Sequence, residues 1–439
     1  MKTQEREAIY NVKELGAAQT LVLGFQHMFA MFGATVLVPL LTGMNVSTTL
    51  LFAGLGTLLF HWITKGKVPA FLGSSFAFLG GYAAVAPKLA DGSSNVEMLP
   101  YACFGVACAG LLYLVMAAMI KMFSVQKIIK FFPPIVTGPI IIAIGLTLSK
   151  SAVDNCSTNW LLALVAIVAV ILCNVFGKGM IKIVPILIGV IASYGVAIAM
   201  GEVDFSAVKE APLLGLPIVK EMTVLGLFDD NFDAAKLVTS VITIMPIAFA
   251  TIVEHIGDIS AISSTTGKNY IEEPGLHRTM VGDGVATIVA SLFGAPANTT
   301  YGENTGVLNL SKVYDPFVVR LAAIFAIIFS FCPKFAAVVQ AMPAATVGGI
   351  SLILYGMISA VGVCNIVENR VDFTQSRNVI VAALILVLAI GVNYSSAGAI
   401  LFTLGKITIS FSGLAVGAIV GIILNAVFPD TKEEYRSVV

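Results

Sequence analysis

Three acidic residues stand in apolar surroundings, where a charge is costly: Glu254, Asp258 and Glu303. An ionised carboxylate at the centre of a membrane costs about 2.5–3.5 kcal/mol on insertion scales, so such a residue marks a functional site by default. Glu254 and Asp258 are four residues apart and therefore share one face of a helix. Two like charges about one turn apart favour protonation of one of them. Burial also raises the pKa of a carboxyl group, which predicts proton exchange near neutral pH. The alternatives are a packed neutral acid at Glu254 and a helix-end residue in headgroup water at Asp258.

Two stretches rich in Gly, Pro and hydroxyl residues interrupt the apolar pattern. Residues 294–306 read Gly-Ala-Pro-Ala-Asn-Thr-Thr-Tyr-Gly-Glu-Asn-Thr-Gly, a composition that disfavours a continuous helix. We expect extended backbone and then a half-helix starting near Glu303, with unpaired N–H groups facing the interior. Residues 67–76 read Lys-Val-Pro-Ala-Phe-Leu-Gly-Ser-Ser-Phe and predict the same break. Interrupted spans at matching positions are typical of transporter binding sites, although a tight structural bend explains either one alone.

The groups at these breaks indicate what ligand would fit. Glu254 and Glu303 offer carboxylate acceptors. Backbone N–H groups around Phe76 and Gly302 offer donors, and the rings of Phe76 and Tyr301 offer flat faces. An anion would prefer Lys or Arg, which these stretches lack after residue 67. Stacking and paired hydrogen bonds favour a planar heterocycle over a sugar or an inorganic ion.

The composition places these residues in an integral membrane protein. Of 439 residues, 58% are hydrophobic and 11% are charged, against about 25% charged in a soluble domain. Most side chains must therefore face lipid or each other. The net charge of zero argues against a nucleic-acid partner. Six scattered cysteines without CxxC spacing predict core filling rather than a metal site or disulfides, and the polar N-terminus does not resemble a cleavable signal.

Apolar runs of about 20 residues predict fourteen membrane spans. They lie near residues 17–41, 46–63, 68–87, 99–122, 133–150, 159–176, 183–200, 236–258, 279–293, 294–311, 316–333, 343–362, 377–394 and 406–428. An internal N-terminus puts 18 of the 25 Lys and Arg residues on the cytoplasmic side and seven outside, so both termini are predicted to be cytoplasmic. The longest outer loop, 201–235, is also the most acidic.

The two halves of the chain resemble each other faintly. Phe25-Gln26-His27 in the first span corresponds to Val253-Glu254-His255 in the eighth, and Phe76 in the third corresponds to Tyr301 in the tenth. The fifth and twelfth spans both open with Pro followed three residues later by Thr. Seven spans repeated twice would place the second copy upside down, as in many secondary transporters. Chance similarity between Gly- and Pro-rich membrane segments is the alternative.

Six stretches match a known family pattern: residues 26–39, 66–78, 253–257, 274–278, 298–307 and 348–356. The run Asn-Thr-Thr-Tyr-Gly-Glu-Asn at 298–304 is the most specific. From about residue 15 to 430 the chain resembles the nucleobase–ascorbate transporter family, and within it the uracil permease subgroup. The resemblance implies a cell-membrane transporter, not an enzyme, that imports uracil with protons.

The resemblance also implies an architecture. It is an all-α polytopic membrane protein with 14 transmembrane segments in two inverted repeats of seven, and short mid-membrane strands in spans 3 and 10. Spans 1–4 (residues 1–132) and 8–11 (236–333) would form a core domain. Spans 5–7 (133–200) and 12–14 (334–430) would form a gate domain, with 201–235 as an extracellular loop. A homodimer surrounded by lipid is expected.

The residues implied for uracil binding are Phe76, Glu254, Gly302, Glu303, Ser75, Tyr301, Ala34 and Tyr355. Those implied for proton coupling are Glu254, Asp258 and His255, with the proton as coupling ion and no metal or other cofactor. His27 and His255 are expected to brace the core by hydrogen bonding rather than to contact substrate.

One position departs from the subgroup, which carries a second His in span 8 where this chain has Asp258. The unperturbed pKa is about 3.9 for Asp and about 6.5 for His, so the coupling route stays open. A purine (xanthine or urate) permease of the same fold is one alternative, although such proteins resemble Gln-Asn where this chain has Glu303-Asn304. An anion exchanger of this architecture is another, but it would place a basic residue at the half-helix ends.

Overall fold

The protein is described by a computed structural model. It covers residues 8–89, 93–123, 127, 130–178, 181, 184–228, 232–404 and 407–428, and for residues 32–34, 303, 310, 403–404 and 407–410 it covers the backbone.

The first half is a series of helices interrupted once by a short strand. Its elements are α1 (Ala17–Thr42), α2 (Val46–Ile63), β1 (Leu72–Ser74), a 3-10 turn (Phe76–Phe78), α3 (Leu79–Val85), α4 (Leu99–Phe123), α5 (Pro134–Cys156), α6 (Trp160–Phe176), α7 (Pro185–Ala199) and α8 (Ser206–Glu210). Polar caps mark several starts. The side chain of Asn45 accepts from the N–H of Thr48 before α2, and Asn159 accepts from Leu161 before α6.

The second half repeats most of this order and adds a short helix and a β-hairpin. Its elements are α9 (Ala234–Ile244), a 3-10 turn (Met245–Ile247), α10 (Ala248–Thr266), α11 (Leu276–Leu292), β2 (Asn298–Thr300), α12 (Gly302–Ser311), α13 (Pro316–Ser330), α14 (Pro333–Gln340), α15 (Ala344–Glu368), α16 (Ser376–Asn393), β3 (Ala399–Leu404), β4 (Ile407–Ser412) and α17 (Gly413–Val427).

Packing between helices follows the proposed repeat. α2 packs against α13, and its counterpart α11 packs against α4. The contact of α1 with α13 is matched by that of α9 with α4. The pair α6 and α7 is matched by α16 and α17, while α5 and α15 pack extensively on each other. A strand followed by a short helix stands at the same place in each half, which is the arrangement that two related halves would give.

Within the described residues, seven helices are long and apolar enough to cross a membrane. They are Ala17–Thr42, Val46–Ile63, Leu99–Phe123, Pro134–Cys156, Ala234–Thr266, Ala344–Glu368 and Ser376–Asn393. The pair α13 and α14, bent by 88°, is an eighth candidate, and four shorter apolar helices accompany them. The chain is therefore a multi-pass membrane protein, and the count of fourteen stays a prediction.

The predicted span at 406–428 is wrong in its first part. Residues 407–412 form β4, which pairs antiparallel with β3 in the register Ala399↔Ser412 to Leu404↔Ile407, and the helix begins only at Gly413. The sequence Ile-Thr-Ile-Ser-Phe-Ser alternates apolar and polar residues, which favours a strand, whereas an average of hydropathy over a long window conceals that period. The span predicted at 316–333 likewise ends early, because Pro333 starts a helix in a new direction.

Candidate functional site

The two short strands join the halves of the chain. β1 and β2 pair antiparallel in the register Leu72↔Thr300, Gly73↔Thr299 and Ser74↔Asn298. Two further backbone bonds extend the pair: Ser75 N–H donates to Ala297 O, and Tyr301 N–H donates to Phe71 O, both at 2.9 Å. The strands lie within the residues predicted for spans 3 and 10, and their depth in the membrane stays a prediction.

A helix follows each strand, and the two helices leave opposite ends of the strand pair. The segment Phe76–Val85 follows β1, and α12 follows β2. Neither Ser75 nor Tyr301, the residues just before them, caps the helix start with its side chain. The first-turn N–H groups of a helix have no partner within the helix, so these two starts can donate to a ligand.

Aromatic side chains surround the first of these starts. Phe76 and Tyr355 from α15 meet edge to face, with ring centroids 5.7 Å apart and planes at 82°, and both rings are buried. Tyr301 is held differently, because its hydroxyl donates to Ser74 O at 2.7 Å. The hydroxyl of Ser75 is buried and has no hydrogen-bond partner among the described residues. Like the hydroxyl of Tyr355, it is therefore able to take a new partner.

The acidic face of α10 lies beside the start of α12. Asp258 Oδ2 accepts from Thr300 Oγ1 at 3.3 Å. A methyl group on Gly302 would lie 3.2 Å from Asp258 Oδ1, so this carboxylate adjoins the first residue of α12. Glu254 lies one turn earlier on the same helix and is half-buried. The predicted pairing of two carboxylates on one helix face is therefore present.

Two predicted site residues have side chains outside the described part of the chain. Ala34 lies in α1, and Glu303 is the second residue of α12, directly after Gly302. Their roles at the site therefore stay predictions from the sequence.

His27 and His255 both hydrogen-bond within the protein. Asn304 Nδ2 donates to His27 O at 3.2 Å and lies 3.3 Å from its Nδ1, which ties α12 to α1. His255 Nδ1 lies 2.9 Å from Asp283 Oδ2, and its Nε2 lies 3.0 Å from Thr279 Oγ1. The second pair of contacts ties α10 to α11.

Asp283 was missed by sequence reasoning. It lies in the middle of α11, is fully buried and pairs with the buried His255. The available signal was an acid between two glycines, Gly282 and Gly284, inside a predicted span. An acidic residue inside a membrane span is costly, so its presence there marks a functional or structural site. The His partner, 28 residues earlier, is not visible in a local pattern.

Gly73 allows Tyr301 to lie against β1. A methyl group at this position would come within 2.6 Å of Tyr301 Cε2 and 2.8 Å of Thr35 Oγ1. Contacts this short force the ring or the strand to move, and overpacking of a tight core typically costs about 1–3 kcal/mol. We therefore expect Gly73→Ala to lower the melting temperature of the detergent-solubilised protein. Gly80→Ala is the matched control, since nothing lies within 4 Å of a methyl group there. An equal, small effect of both changes would contradict this packing.

Comparisons with known proteins give consistent results. The family model Xan_ur_permease, described as a permease family, matches residues 18–398. The chain is 40% identical over 422 residues to the uracil permease of Bacillus caldolyticus, covering 94% of this chain and 92% of that protein. It is 38% identical over 425 residues to the uracil permease of Bacillus subtilis (strain 168), covering 93% and 92% respectively.

A solved structure shares the fold. The transmembrane domain of the cyanobacterium bicarbonate transporter BicA superposes with a TM-score of 0.59, covering 95% of this chain and 99% of that chain. Sequence identity is 14%, so this likeness concerns the fold alone.

Proposed function

The chain belongs to the Xan_ur_permease (nucleobase–ascorbate transporter) family, and on that premise we propose that it imports uracil across the cell membrane together with protons. The observation that carries the proposal is the identity of 38–40% to uracil permeases over nearly the whole of both chains. The strand pair with a helix starting at each end supplies a site of suitable chemistry.

The proposal includes the finer architecture. The chain would cross the membrane fourteen times in two inverted repeats of seven, with β1 and β2 near mid-membrane and both termini cytoplasmic. Core and gate domains would divide as the resemblance implies, and two chains would form a dimer in lipid. The matched helix contacts of the two halves and the shared fold support this arrangement.

Uracil would lie between the strand pair and α10. Its two carbonyl groups would accept from backbone N–H groups at Phe76 and Gly302, and its ring N–H groups would donate to carboxyl oxygens of Glu254 and Glu303. A flat ring with alternating donors and acceptors suits this set, because every polar edge finds a complementary partner. Phe76 and Tyr355 would cover the ring, and Ala34, Ser75 and Tyr301 would complete the walls.

Glu254 would couple transport to protons. Protonated from outside, it becomes neutral and can both donate to and accept from the ligand. Movement of the core against the gate would then open the site inward and release uracil and the proton. Asp258 and His255 would share this role. Their contacts with Thr300 support this, since Thr300 Oγ1 lies 3.2 Å from His255 Nδ1 and donates to Asp258 Oδ2.

An imposed proton gradient tests the coupling directly. In proteoliposomes, we expect an inward proton gradient to raise labelled uracil above its equilibrium level, and a protonophore to abolish that accumulation. Uptake that does not respond to the gradient would exclude symport.

Competition by unlabelled uracil and by xanthine tests the substrate. Stronger inhibition by xanthine would replace uracil by a purine in this proposal.

A further inference from the structure

The strand pair leaves backbone groups on its outer edges that need partners. The bonds from Ser75 to Ala297 and from Tyr301 to Phe71 show which residue pairs exchange hydrogen bonds across the two strands. Because such pairs alternate with non-bonded ones along an antiparallel ladder, Leu72 and Asn298 point their N–H and C=O groups away from the partner strand. Unpaired groups of this kind are costly at membrane depth.

Thr57 in α2 satisfies the outer edge of β1. Its Oγ1 accepts from Leu72 N–H at 2.9 Å and lies 3.2 Å from Leu72 O and 2.8 Å from Ala53 O. The residue is fully buried. One hydroxyl therefore joins the strand to a carbonyl of the helix behind it.

Thr287 in α11 does the same for β2. Its Oγ1 donates to Asn298 O at 2.7 Å, and the residue is fully buried. The spacing from Thr57 to Thr287 is 230 residues, equal to that between the first residues of α2 and α11, Val46 and Leu276. The two threonines thus occupy equivalent places in the two halves. Each belongs to the helix packed behind the strand of its own half.

Other hydrogen bonds also hold the two strands, but they connect different elements from those that the threonines connect. Ser74 O accepts from the Tyr301 hydroxyl, and the amide of Asn298 donates to Phe52 O in α2. These bonds join one half to the other. The threonine bonds instead fix each strand to the helix that precedes it, so they set where the strand lies along that helix.

We propose that Thr57 and Thr287 are a symmetric pair of positioning residues that fix β1 and β2 against α2 and α11 and thereby aim the helix starts at Phe76 and Gly302 at the ligand. The proposal rests on the proposed function for the identity of that ligand. The helix starts follow the strands by two residues or fewer, so a shift of a strand moves the donor N–H groups with it.

Four variants test the pair: Thr57→Val, Thr57→Ser, Thr287→Val and Thr287→Ser. Valine keeps the shape and removes the hydroxyl, which leaves a buried backbone group unpaired. We expect each valine variant to weaken uracil binding to the purified protein by about tenfold. Serine should restore binding to within about twofold, because it keeps the hydroxyl. Thr49→Val is the matched control, since this buried threonine on α2 donates to Asn45 O of its own helix turn.

A second measurement does not depend on the ligand. Amide hydrogen exchange of the unliganded protein should be faster around residues 71–75 in Thr57→Val, and unchanged there in Thr57→Ser and Thr49→Val. Unchanged exchange in Thr57→Val would overturn the proposal. So would valine variants that lose melting temperature but bind uracil normally, because the hydroxyls would then be structural only. A wild-type protein that binds no uracil would refute the proposed function, while the exchange data would still decide the role of Thr57.

Discussion

Glu303→Gln is expected to weaken uracil binding by tenfold to a hundredfold, and Glu254→Gln is expected to abolish proton-driven accumulation while keeping binding. The two outcomes differ because the two carboxyl groups have different tasks in the proposed mechanism. Glu303 accepts from the ring as an anion, and a hydrogen bond to a charged group contributes about 1.5–3 kcal/mol, which the amide would largely lose. Glutamine at 254 resembles the protonated acid, since it is neutral and both donates and accepts.

Exchange and accumulation separate these effects. Glu254→Gln should still exchange labelled for unlabelled uracil across proteoliposomes at equal concentrations, but should not concentrate uracil when a proton gradient is imposed. Glu303→Gln should fail in both assays at low uracil concentration. Glu272→Gln is the control, because Glu272 is exposed and lies outside the site, in the short π-helical turn Ile271–Gly275 that follows α10. Nearly normal accumulation by both site variants would mean that the site lies elsewhere.

The broken segments could be predicted from sequence because their signals are local. Gly, Pro and β-branched residues crowd 294–306, and the structure has a strand at Asn298–Thr300 and a helix from Gly302, one residue before the predicted start near Glu303. The membrane class followed from composition in the same way. Neither prediction requires knowledge of a contact between residues that are distant in the sequence.

The features missed by sequence analysis depend on partners that lie in a different element and outside any local sequence pattern. Asp283 becomes tolerable inside a helix only because His255 faces it, and Thr57 matters only because Leu72 presents an unpaired N–H to it. The hairpin of β3 and β4 was missed for another reason. The apolar–polar alternation of a strand lies within the segment 399–428, but the high average hydropathy of that segment favoured a single helix. Contacts of this kind become visible only in the folded chain, because both partners lie in the same half but in different elements.

Asp283→Ala is expected to have the largest effect on stability. The carboxylate is fully buried against His255, and removal of one partner of a buried pair typically costs about 3–5 kcal/mol, because the other is left without its counterpart. The backbone N–H of Thr300 also lies beside this carboxylate, so the change would loosen β2 as well as α10. We expect a melting temperature lower by several degrees in detergent and a loss of uracil uptake.

Asp283→Asn separates the shape of this side chain from its charge. The amide fills the same space and its oxygen can still accept from His255 Nδ1, so most of the thermal stability should return. If the charge helps to hold a proton on the network of His255, Thr300 and Asp258, uptake by this variant should stay low and its pH dependence should shift. Asp154→Asn is the control, since Asp154 forms an exposed ion pair with Lys150 and such pairs contribute little. A stable Asp283→Asn variant with normal uptake at every pH would assign Asp283 to packing alone and leave proton coupling to Glu254.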